Sequence, residues 1–440
     1  MSQKEPSPII SVKLFWISII IIIVLLIIVI LKPKTKIADD SEINSDQFRI
    51  RANLSTLAID PDWSELEKYQ KKITKRRFLT ELKNIYSEQD SWKSAVRVNA
   101  DHAELRAKGN QIFRLQFGSS DHTLNNLRYW RKASELPKNI NIEKEPLKHL
   151  KVAIDPGHIG GKWAKMEGRW YQLNGKGIEI KEGELTLLTA KLIKQKLQSL
   201  GAKVFLLRDQ HEPVTKLRPE HFKELARKVL QSRGQKSEGI VLKKESELLF
   251  YRKHEIRRRA HIINNTIKPD LTICVHFNAE SWGNPNNPEL INRNHLHLLI
   301  NGNYSSSEFR LEDNRFHLFK RLLQNIHNEE LPISIAVASS MANETGLPPY
   351  KYSTSNAKLI NHKQPYIYAR NLLANRIYHC PVIFLEPYVM NSTTFYNRII
   401  AGNYSGEKII SGKKRKSLVH EYADGVVRGL VNYYKMKRKS

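Results

Sequence analysis

Lys151–Gly161, KVAIDPGHIGG, sets an apolar run (Val152, Ala153, Ile154) against an abrupt Asp155-Pro156-Gly157 turn, with His158 next and Gly160-Gly161 behind it. A buried strand that stops at such a turn delivers the following side chain to the open edge of a sheet, where α/β proteins keep their sites. Two later stretches repeat the arrangement. Pro269–Glu280, PDLTICVHFNAE, ends at His276 and Asn278, and Cys380–Asn391, CPVIFLEPYVMN, ends at Glu386. Three apolar strands, each finishing in His or Glu, point to one mouth with nitrogen and carboxylate donors. That is a zinc-type set.

Working outward, strand and helix patterns alternate from Leu150 onward. Leu185, Leu188, Leu192, Leu197 and Leu200 recur at helical spacing, with Gly201 just past the end as a cap. Lys203–Leu207 and His295–Ile300 read as strands; Arg218–Arg233, Glu247–Asn265, Phe316–Glu330, Ile335–Thr345 and Leu418–Tyr434 read as helices. The expected fold is therefore α/β, a mostly parallel twisted sheet with helices on both faces, spanning residues 150–440. Residues 48–146 read as a small α+β accessory domain: two helices, then a meander between turn signals at Asn99-Ala100-Asp101 and Lys108-Gly109-Asn110.

The N-terminus has a different texture. Residues 1–13 form a short tail, and Leu14–Leu31 is a run of 18 residues without a charge. That approaches the ~20 residues a membrane-spanning helix needs, and no small-residue cleavage site follows. An uncleaved single-pass anchor is expected, then a polar linker over 32–47. The formal charge is +28, from 72 Lys+Arg against 44 Asp+Glu, which draws the chain to polyanions such as a phospholipid surface or a cell-wall polymer. No nucleic-acid motif accompanies the basic stretches around Arg252–Arg259, Lys413–Lys416 and Lys435–Lys439, which read as solvated faces. Cys274 and Cys380 are the only cysteines and fall inside apolar runs, so no disulfide framework is on offer.

A catalytic zinc takes three protein ligands and leaves one position open. His158 and His276 supply two, and the loop carrying Glu179, Glu182 and Glu184 offers the third; spacing alone leaves Glu182 and Glu184 level, both also suiting a helix N-terminus. Glu386 sits among Phe384, Leu385, Tyr388 and Val389, where desolvation raises a carboxyl pKa toward that of a general base or acid. The chemistry this set suits is hydrolysis of an amide.

DPGHIGG, EGELTLLTAKLIKQKLQSLGAKVFLLRD, PDLTICVHFNAE and VIFLEPYVMN, in this order, resemble the zinc-dependent N-acetylmuramoyl-L-alanine amidases of bacterial cell-wall turnover. The resemblance implies one Zn2+ per chain held by His158, Glu182 and His276, with Glu386 catalytic, and it favours Glu182 over Glu184. It also implies peptidoglycan as substrate, cleaved between the muramic lactyl group and L-alanine of the stem peptide. Asn278, Trp163 and Trp170 are candidate substrate contacts, the aromatics by stacking on sugar rings. A protein activator is a possible partner, and some relatives carry an occluding helix, for which Phe316–Glu330 is the candidate, although the same pattern suits an ordinary surface helix better. The function implies the bacterial inner membrane, with the catalytic domain on the periplasmic side, although Lys32, Lys34 and Lys36 after the span outnumber Lys4 and Lys13 before it. Two departures stand out: an isoleucine separates His158 from the paired glycines, and Gly183 follows Glu182 where a lysine is expected. Rival readings are a non-catalytic wall-binding relative and a zinc peptidase acting on another bond of the stem.

Overall fold

The computed structural model describes residues 50–121 and 125–439. Seven strands build the central sheet: β1 (Lys151–Pro156), β2 (Lys203–Leu206), β3 (Leu271–Val275), β4 (Leu296–Ile300), β5 (Lys358–Leu359), β6 (Ile367–Ala369) and β7 (Val382–Pro387). Their spatial order is β5-β6-β4-β7-β3-β1-β2. Neighbours β1–β2, β1–β3, β3–β7 and β4–β6 run parallel, while β4 runs antiparallel to β7 and β5 antiparallel to β6. β3 and β4 are buried at every position, as strands covered on both faces must be.

The helices that matter to the site are α1 (Glu182–Ser199), α2 (Glu312–Leu323), α3 (His327–Thr345) and α4 (Leu418–Lys439). Alternate strand residues meet different layers. Val152, Ile154, Ile273, Leu298 and Ile383 pack with Ile193 and Leu197 of α1, Val337 and Met341 of α3, and Tyr422 and Leu430 of α4. Ala153, Cys274, Leu299, Val382 and Phe384 face the other way, onto Ile263, Ile267, Ile377 and Tyr378. Both cysteines are buried core residues. α4 lies very close on α3: a methyl on Gly429 would stand 2.5 Å from Val337 Cα.

The segment expected to stand apart, 48–146, holds a three-stranded antiparallel meander (Val96–Val98, His102–Arg106, Ile112–Gln116) behind a helix at Lys75–Glu81. Its apolar side does not close on itself. Trp63, Phe78, Leu82 and Leu115 share one cluster with Tyr304, Phe316, Phe319 and Leu322, and the described residues form one compact unit. This corrects the reading of Phe316–Glu330. That stretch is divided between α2 and α3 by Asn325 at φ 59, and Phe319 stacks on Phe78 at 6.4 Å, so its aromatic face is spent on the N-terminal segment. The expected anchor at 14–31 lies outside the described residues. Among the described residues, no helix is long and apolar enough to cross a membrane.

Candidate metal centre

β1, β3 and β7 are neighbours, so their carboxyl ends bring His158, His276 and Glu386 to one edge of the sheet. Glu182 is the first residue of α1 and buried. Its Oε2 lies 3.1 Å from His158 Nε2 and its Oε1 3.2 Å from His276 Nδ1. One donor atom from each of His158, Glu182 and His276 falls within 4.8 Å of the others. The Phe277 N–H also donates to Glu182 Oε1, at 3.2 Å. Glu184 takes no part: its carboxylate stands 3.4 Å from Lys181, and Glu179 pairs with Lys165 and Lys181.

The backbone is shaped for this convergence. His158 adopts φ 57, a left-handed conformation that costs a non-glycine residue energy and is held by its surroundings. Glu167, buried, accepts from the N–H groups of Ile159 and Gly160 and lies 3.5 Å from His158 Nδ1. Arg259 donates to the carbonyls of Pro156 and His158 at 2.8 and 3.0 Å, and Arg208 to those of Gly157 and Gly183 at 3.2 and 2.8 Å. Asp155, the acid of the turn, pairs with Arg259 at 2.7 Å and accepts from Tyr378 at 2.6 Å. The basic stretch Arg252–Arg259 is thus not wholly a solvated face, since Arg259 is buried and holds the turn. The sign available in the sequence was Glu255 four residues before Arg259, a helical pair that is itself buried.

Electrostatics follow the same geometry. Burial works against a charged His158, but Glu182 and Glu167 outweigh it and raise the ring to about 9. Glu182 loses to burial and gains more from His158, ending well below the usual carboxylate range. Glu386 goes the other way: burial raises it, and Glu182 adds to the rise against the pull of His276. Its carboxylate makes no side-chain hydrogen bond among the described residues, while Phe384, two residues earlier, stacks on the His276 ring at 4.6 Å.

The remaining candidates are placed differently. Asn278 caps the same edge, its Nδ2 lying 3.4 Å from His295 Nε2. Trp163 packs on Phe250 at 5.7 Å and donates to Glu212, which occupies its polar edge. Trp170 is 9% exposed, with Lys165 over its ring at 4.5 Å. His297, which by spacing reads as a core or solvated histidine, is buried, is the direct cross-strand partner of Glu386 and bonds Tyr352 at 3.0 Å.

Residues 152–369 match the family described as N-acetylmuramoyl-L-alanine amidase. Through this segment the chain belongs to that family. The amidase segment makes the chain, by family, a hydrolase of the peptidoglycan amide bond. Solved structures similar to it include the apo form of Ami1 from Mycobacterium abscessus (17% identity, 65% of this chain and 99% of that one, TM-score 0.34). Others are CwlD from Clostridioides difficile in complex with the GerS lipoprotein (12%, 64% and 96%, 0.36) and AmiC2 of Nostoc punctiforme (14%, 65% and 98%, 0.35). No curated protein matches the sequence.

Proposed function

We propose that the chain is a zinc-dependent amidase that hydrolyses the bond between the muramic lactyl group and L-alanine of the peptidoglycan stem, from the outer side of a membrane to which residues 14–31 anchor it. The observation that carries the zinc reading is an orphan. Glu182 Oε2 is buried and finds no hydrogen bond of acceptable geometry, although His158 Nε2 is only 3.1 Å away. A buried carboxylate oxygen left unsatisfied between two imidazoles suits a cation rather than a proton donor. His158, Glu182 and His276 would hold that ion, and the donor set fits zinc. When bound, zinc supplies Lewis acidity towards a water and the scissile carbonyl.

The remaining steps belong to the chain's own groups. Glu386, with its carboxyl pKa raised, accepts the proton of the attacking water and returns it to the departing amine of L-alanine. Glu167 and the two arginines keep His158 in its left-handed conformation, so its ring stays aligned as the substrate arrives. Phe384 holds the His276 ring flat against the sheet end.

Digestion of purified peptidoglycan tests the reading. Free stem peptides beginning with L-alanine support an amidase, whereas trimmed stems still attached to sugar would identify a peptidase. Glu386→Gln should retain zinc and lose turnover by about 10²-fold or more; unaltered hydrolysis by that variant removes Glu386 from the mechanism.

A further inference from the structure

Beside the metal centre lies a cleft of about 280 Å³ lined by Arg169, Ala279, Glu280, Ser281, Trp282 and Gly283. Its far wall is the loop directly after His276 and Asn278. Of the two charged lining residues, Glu280 is already used: Arg293 donates to it, and His295 stands 3.9 Å away. Arg169 is held only by a long ion pair: its Nε is 3.8 Å from Glu182 Oε2, beyond hydrogen-bond reach, and its guanidinium makes no hydrogen bond among the described residues. In the same loop Lys162, Lys165 and Lys181 each have a carboxylate within 3.0 Å.

The root of this side chain is nevertheless fixed. The Arg169 N–H donates to the Ala164 carbonyl at 3.0 Å, and its own carbonyl accepts from the Glu182 N–H at 3.1 Å. The guanidinium is therefore held next to a metal ligand while remaining 34% exposed to the cleft. Beside a cation-binding cluster, a guanidinium without a hydrogen-bonded anion opposes the ion the cluster attracts, and an anionic group arriving with the substrate removes that cost. Five donors in a planar fork match a carboxylate. Trp282, whose ring packs on Tyr171 at 5.4 Å, offers an apolar wall alongside.

We propose that Arg169 binds a carboxylate of the substrate's peptide close to the scissile amide, so that the enzyme distinguishes a stem whose second residue carries a free acid from one carrying the carboxamide. This rests on the amidase reading above. The test uses the zinc-loaded full chain and two muropeptides identical except for carboxylate or carboxamide at that residue. The wild type is expected to prefer the acid by about tenfold or more in kcat/KM, mainly through KM. Arg169→Gln should bring the acid down to the level of the amide while zinc content and melting temperature hold, and Arg169→Lys should keep part of the preference. A wild type without preference, or Arg169→Gln with the preference intact, would overturn the carboxylate subsite and leave the amidase standing. A wild type that cleaves neither peptide would overturn the amidase reading and this inference with it.

Discussion

A methyl group on Gly157 would lie 2.3 Å from His276 Cε1, inside the volume of the imidazole. Gly157→Ala should therefore displace a metal ligand without touching the core, and zinc affinity should fall about 10- to 100-fold by competition with a chromophoric chelator. A similar contact accounts for one departure from the family pattern. A Cβ on Gly183 would approach Gly160 N to 2.4 Å, so the first turn of α1 packs directly on the glycine pair and leaves no room there for the expected lysine. His158, His276 and Glu386 were legible as candidates because each follows or ends a recognisable apolar strand, whereas spacing left Glu182 level with Glu184 and only the family resemblance separated them. Glu167, Arg169 and Arg208 were not legible, because isolated charged residues carry no periodic signal, and for Arg259 the one sign was Glu255 four residues earlier. Their roles exist only once Arg259 meets Asp155 and Arg208 meets the Gly157 carbonyl.

Among the elements, α2 carries Phe316 and Phe319, which pack on Trp63 at 5.7 and 6.3 Å and so face the N-terminal segment. Phe319→Ala is expected to lower the free energy of unfolding by about 3–5 kcal/mol in urea titration. Hydrolysis at a permissive temperature should not rise; a faster enzyme would revive an occluding role. The break at Asn325, a residue tolerant of left-handed φ, was available as a helix stop between Leu323 and His327. The antiparallel setting of β4 was not available: an all-buried strand reads alike in either direction. That register sets His297 opposite Glu386.

For the molecule as a whole, buried neutral histidines set the response to acid. Burial lowers His317 to about 3 and His327 to about 4, and His297 and His379 lie well below the ordinary value. The folded state refuses protons that the unfolded chain accepts near pH 6.5, so stability falls as pH drops below that value and continues to fall towards the folded-state values. At pH 5 the loss is on the order of 2 kcal/mol each for His317 and His327. Melting curves between pH 7.5 and 5 should show a steep decline, and a flat profile would contradict it. The claim beneath the enzymology is that two strand ends and the start of α1 hold one divalent cation. The most direct measurement is an anomalous difference map recorded at the zinc edge from crystals of the zinc-loaded protein. The expected result is a single peak about 2.0–2.2 Å from one donor atom each of His158, Glu182 and His276. A peak bound elsewhere with those three side chains free, or no peak at all, would contradict it.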